Sequence, residues 1–100
     1  MPEYTISPEN GDDWPSLPVG GLAHHLLPRS VPSEVVTDSD VLVFRVGGAT
    51  VSTSWELAGT WYVGIEGAES SESADLVAAE IAQRLGDATG TRPVHRRVTD

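Results

Sequence analysis

Between Val41 and Leu85 two glycine-centred breaks separate three β-like runs, and a helical repeat of small apolar residues follows. A chain of 100 residues supports one modest core. That stretch therefore sets the expected fold class: α+β, a small antiparallel β-meander of three or four strands packed against one C-terminal α-helix, with a proline-rich N-terminal arm. Val41 to Val46 is rich in β-branched and aromatic residues and reads as the first firm strand. Gly47-Gly48 then signals a two-residue hairpin of type I′, whose two central residues both take positive φ. Such a turn pairs Val46 with Ala49, Phe44 with Val51 and Leu42 with Thr53. One face carries Leu42, Phe44, Val46, Ala49, Val51, Trp55 and Leu57. The other carries Thr50, Ser52, Ser54 and Glu56 and reads as solvated.

The second break, at Ala58-Gly59, admits two registers. A two-residue loop pairs Trp55 with Tyr62 and turns Trp61, Val63 and Ile65 toward the polar face. A three-residue loop, Ala58-Gly59-Thr60 with Gly59 left-handed, pairs Leu57 with Trp61 and Trp55 with Val63. It keeps both tryptophans, Val63 and Ile65 on the apolar side, and a one-residue slip would move them all. The three-residue loop is therefore expected, with Trp55 and Trp61 anchoring the core. Ser70 to Leu85 reads as the helix, capped by Ser70 or Ser71 and stopped by Gly86. Its stripe is Ala74, Val77, Ala78, Ile81 and Leu85. Glu72 and Asp75 suit its positive end.

Outside this stretch the pattern changes, giving an arm over residues 1–40, a core over 41–90 and a basic tail over 91–100. The first forty residues hold six of the seven prolines, which leaves no room for a long helix or a central strand. Leu22 and Leu26 fit one face of a helical turn or two, and Glu34 to Thr37 fits a short strand before an Asp38-Ser39-Asp40 turn. Trp14, Leu17, Val19 and Leu27 make the arm too apolar for a mere linker, so it is expected to pack on the sheet. Pro93 to Val98 reads as a ragged tail or a short edge strand.

Charge narrows the function. The formal net charge is −9, and all six basic side chains are arginine, four of them in the last seventeen residues. A negative field repels phosphate backbones and anionic lipid, so no direct nucleic-acid or membrane binding is expected. No apolar run is long enough to span a bilayer. Without cysteine there is no disulfide framework and no thiolate metal site. The start, Met1-Pro2-Glu3, lacks the basic and apolar regions of a secretory signal, which points to a cytoplasmic protein. A lysine-free chain rich in Ala, Gly, Val and Asp suggests an actinobacterial or phage origin.

Chemistry-bearing patterns are sparse. His24-His25 are adjacent, and on a helix they diverge by roughly 100°, which suits joint chelation poorly. Gly47-Gly48 leads into a strand rather than a helix, which favours a hairpin over a phosphate loop. No Gly-x-Ser-x-Gly elbow occurs. Neither a cofactor nor an enzymatic activity is expected. Glu66, Glu69, Glu72 and Asp75 form an acidic lane from the last strand into the helix. Its bland reading is helix N-terminal charge and solvation; its sharper reading is a contact for a basic protein. Tyr62 shares a face with Val41, Val43 and Arg45, which either the arm covers or a partner meets. Tyr4, Trp14 and Tyr62 could form an aromatic contact patch. The expected role is a non-catalytic acidic protein-binding module, of inhibitor, antidote/immunity or adaptor type, acting on a basic partner through Glu66, Glu69, Glu72, Asp75 and Tyr62. The alternative is a structural or assembly protein that self-associates through the Tyr62 face or an edge strand.

Overall fold

In the computed structural model, residues 2–9, 22–56 and 60–99 are described, the side chains of Glu56 and Thr99 excepted. The elements are β1 (Glu3–Pro8), α1 (Leu22–Leu26), β2 (Glu34–Asp38), β3 (Val41–Val46), β4 (Ala49–Glu56), β5 (Thr60–Glu66), α2 (Ser71–Thr89) and β6 (Pro93–Thr99). The strands form one sheet in the order β2-β3-β4-β5-β1-β6, and every neighbouring pair is antiparallel. Both helices lie on one side. The α+β class and the C-terminal covering helix are as expected, but among the described residues the strand count is six rather than three or four.

The added strands come from the ends of the chain. β1 is interior, pairing with β5 on one side and β6 on the other. Proline was expected to forbid a central strand in this region. The physical reason it does not is position: Pro2 precedes β1 and Pro8 closes it, so Glu3 to Ser7 keep their amide donors. Tyr4 and Ile6 turn inward and are buried. β6 is an edge strand, the second of the two forms expected for Pro93 to Val98.

The first hairpin pairs Val46 with Ala49, Phe44 with Val51 and Leu42 with Thr53, in the expected register. Its turn differs. Only Gly47 has positive φ (59°), the sign pattern of a type II′ rather than a type I′ turn. The second hairpin pairs Trp55 with Trp61 and Glu56 with Thr60, two residues away from the expected register. Trp55, Trp61, Val63 and Ile65 still share the helix-facing side, because a two-residue shift preserves the pleat. Leu57, Gly59 and the arm residues Trp14, Leu17 and Val19 lie outside the described residues.

Trp55 is not a core anchor. It is 53 % exposed, whereas its partner Trp61 is 5 % exposed. The sheet explains the contrast: β3 begins at Val41 opposite Ser54, so its ladder stops short of Trp55, while Ile6 of β1 is level with Trp61. Thr53, two residues before Trp55 and level with Val63, is fully buried. Its hydroxyl accepts from Trp61 Nε1 at 2.5 Å and donates to the Tyr62 carbonyl at 2.8 Å.

Ser70 caps α2, accepting from the Ser73 amide at 3.1 Å. The buried stripe is Ala74, Ala78, Ile81, Ala82 and Leu85, with Val77 partly covered. Its small residues join Tyr4, Phe44, Val63 and Ile65 in one buried cluster. The expected stop at Gly86 is overrun: α2 continues to Thr89, and Gly90 (φ 70°) is the left-handed cap, its amide bonding the Gly86 carbonyl at 2.8 Å. Gly86 is needed for another reason. A β-carbon there would sit 2.8 Å from Pro93 Cδ and 2.9 Å from the Thr91 carbonyl oxygen, so its absence lets β6 return against the helix.

α1 is fastened by carboxylates from elsewhere in the chain. Asp38 accepts from the amides of Leu22 (2.9 Å) and Ala23 (3.3 Å), satisfying donors at the start of that short helix. Glu80 of α2 accepts from the amides of Arg29 (2.7 Å) and Ser30 (3.0 Å) and from the Ser30 hydroxyl. Burial pushes the Glu80 carboxyl up, and these donors more than offset it, holding the group below its ordinary range.

Candidate functional site

A groove of about 420 Å³ opens where the β3–β4 turn and the β5–α2 connection meet the first turns of α2. Buried Ile65 and Ala49 form its depth, and Val46 and Val77 continue the apolar lining. Leu76, 67 % exposed, and Val31, 38 % exposed, stand at its rim. Glycine keeps it open. Gly47, Gly48 and Gly67 contribute backbone without side chains, and Gly67 holds φ 81°. A β-carbon on Gly67 would lie 2.8 Å from the Gly48 carbonyl oxygen.

The nominated acids do not form one lane. Glu69 lines the groove, Glu66 is exposed one residue before Gly67, and Glu72 is exposed in the first turn of α2. Of these, Glu69 alone lines the groove, Glu72 precedes the lining residue Ser73, and Glu66, level with Thr50, turns to the opposite face of the sheet. Asp75 lies elsewhere, at the seam of α2 with β1 and β6. Its Oδ1 accepts from the Tyr4 hydroxyl at 2.6 Å, and its Oδ2 accepts from Arg97 at 2.6 Å. The Tyr4 and Arg97 hydrogen bonds hold the Asp75 carboxyl below its ordinary range. Burial, reinforced by the hydrogen bond to Asp75 and its charge, pushes the Tyr4 phenol from 10.0 to about 12. Tyr4 is thus a core residue, not part of a contact patch.

Tyr62 sits on the opposite side of the sheet. Its hydroxyl donates to Glu3 Oε2 at 2.7 Å, and its ring lies over Gly64, with Cζ 3.0 Å from where a β-carbon would be. Among the described residues neither helix covers this face, which carries Val41, Val43, Arg45, Thr50, Ser52 and Ser54.

Among the described residues no three His, Asp or Glu side chains gather as a metal site would require. His24 and His25 meet edge to face, with ring centroids 4.9 Å apart. No helix of the described residues is long and apolar enough to cross a membrane. Comparison with models of protein families, with curated proteins and with solved structures returned no match.

Leu76 and Val31 were not foreseen as site residues. Leu76 carried a legible signal: it falls off the Ala74–Ala78–Ile81 stripe, on the solvent side of α2. Val31 carried none, because only the tertiary fold brings it beside α2.

Proposed function

We propose that this chain is a non-catalytic protein-binding module whose groove receives an apolar side chain from a basic segment of a partner protein. The observation that carries the reading is the juxtaposition of Leu76, Val31 and Val77 with Glu69, at the mouth of a groove on a chain of net charge −9. Apolar depth supplies affinity, and acids at the mouth select for arginine or lysine beside the anchoring residue. Inhibitors, antidotes and adaptors all work this way, by occupying a surface rather than transforming a substrate. Self-association is the competing role, and the uncovered sheet face with its open edge strands favours it.

The test uses short peptides with a central leucine or phenylalanine flanked by arginines, against matched peptides flanked by glutamates, followed by amide chemical-shift changes in the full chain. One buried anchor contributes about 2–3 kcal/mol and each exposed ion pair about 0.2–1 kcal/mol, so weak, salt-sensitive binding is expected. Shifts should centre on Gly47, Gly67 and Leu76 and vanish in Leu76→Glu. Equal binding of the acidic peptides, or binding that survives Leu76→Glu, would sink the reading.

A further inference from the structure

We infer that copies of this chain associate edge to edge, with β2 of one copy adding to β6 of the next to extend the antiparallel sheet. This does not depend on the groove. The outer strands of the sheet are β2 and β6, and both present apolar side chains to solvent: Val35 at 43 % and Val36 at 49 %, Val94 at 50 % and Val98 at 52 % exposure. An open edge carries unpaired backbone donors and acceptors and is a template for a further strand.

Strand direction decides which joins are possible. Six strands alternating in direction leave β2 and β6 running opposite ways. A second copy displaced sideways, without being turned over, therefore sets its β2 antiparallel to β6 and keeps both helix layers on the same side. Pairing β2 with β2, or β6 with β6, about a two-fold axis is also geometrically open, so charge has to choose. β2 carries Glu34, whose exposed carboxylate has Arg45 of β3 at 3.8 Å, and β6 carries His95 and Arg96; Asp38 and Arg97 are engaged within the copy by α1 and Asp75. A β2–β2 seam opposes carboxylates, and a β6–β6 seam opposes arginines, which is costly. Only the mixed seam joins opposite signs.

A specific register satisfies both pleats. Glu34 is level with Arg45 on the face away from the helices, and Arg96 is level with Thr5 on that same face. Setting Glu34 against Arg96 brings Val35 beside His95 and Val36 beside Val94. The seam is short. A register shift in β2 between Val35 and Thr37 ends regular pairing on one side, and Pro93 lacks an amide donor on the other. Association is accordingly weak and reversible. Because the contact is heterologous and does not close on itself, it continues from copy to copy.

Sedimentation equilibrium of the full chain, from about 10 µM to about 1 mM at roughly 0.15 M salt to screen the net negative charge, reads this directly. Weight-average mass should climb with concentration past the dimer without a plateau. Glu34→Arg and Arg96→Glu, each checked for folding by circular dichroism, should each weaken association roughly tenfold, and the double reversal should restore it. A monomer throughout would overturn the inference, as would a closed dimer indifferent to both reversals. Failure of the double reversal to recover association would do the same, whereas loss of peptide binding at the groove bears only on the groove.

Discussion

Replacing Thr53 by valine tests whether a single buried hydroxyl fixes how β4 and β5 are joined. Valine has nearly the same shape, so packing is retained and the polar balance changes. In the native chain Thr53 is fully buried and serves two groups: it accepts from Trp61 Nε1 at 2.5 Å and donates to the Tyr62 carbonyl at 2.8 Å. The carbonyl has a second lone pair and its strand ladder, so its loss costs about 1 kcal/mol. The indole N–H has no such reserve on a residue 5 % exposed, and stranding it costs about 1–3 kcal/mol. Thr53→Val is therefore expected to destabilise the chain by about 2–4 kcal/mol. Relief from burying a methyl in place of a hydroxyl lowers that toward about 2. Thr53→Ser keeps both hydrogen bonds and loses one methyl, about 1 kcal/mol.

Urea unfolding followed by far-UV circular dichroism measures both variants and avoids relying on indole fluorescence. The pair is separable from general core damage by a cycle with Trp61→Phe, which removes the N–H while keeping a ring. In that background Thr53→Val should cost at least about 1 kcal/mol less than in the native one, since no donor is left stranded. If valine at 53 is as stable as threonine, or the cycle shows no coupling, the hydrogen bond does not govern this site and the reasoning fails.

Stability should fall at high pH in a way that depends on Tyr4. Its folded pKa is raised from 10.0 to about 12, so its contribution is complete below pH 10 and disappears as the pH climbs toward 12. With the half-exposed Asp75 beside it that contribution is about 1–2 kcal/mol. Tyr4→Phe should flatten the decline in urea midpoint over that range, and an unchanged slope would count against the assignment. Gly86→Ala should destabilise by about 1–3 kcal/mol although alanine favours helix, because its methyl would meet Pro93 and the Thr91 carbonyl. A gain in the thermal midpoint would show that β6 does not pack there as described.

How much of this was readable before the fold was known follows from the range of each signal. The first hairpin register was legible because Gly47-Gly48 and the alternation of Leu42, Phe44, Ala49 and Val51 act over a few residues. The second register was legible only modulo two. Hydrophobic alternation distinguishes the faces of a strand, but a slip of two residues leaves every side chain on its face. What separates the two registers is Thr53, a polar residue on the apolar side, which reaches Trp61 only when Trp55 stands opposite Trp61. A hydroxyl amid apolar neighbours was thus the informative residue, and periodicity passes over it. The end of α2 was misjudged for a related reason. Gly86 resembles a stop in sequence, yet its missing side chain serves Pro93, a contact no local pattern encodes.

The acidic residues show where sequence reading of function stops. Net charge predicts a field but not which carboxylates remain available to make it. Asp75 and Glu80 are taken up by Tyr4, Arg97 and the Ser30 region, and Asp38 is taken up by α1. Glu69 lines the groove where the glycines of two connections come together, whereas Glu66 turns to the opposite face of the sheet beside Thr50. Charge complementarity also acts at two ranges. At the groove mouth the proposed complement of Glu69 is a basic segment of a partner, whereas along the sheet the basic β6 supplies such a segment from the chain itself. Since β2 lies at the opposite edge, it cannot take up β6 of its own copy. The electrostatic match between them is available only to a neighbour, which is why the charge pattern of the two edges favours association over closure.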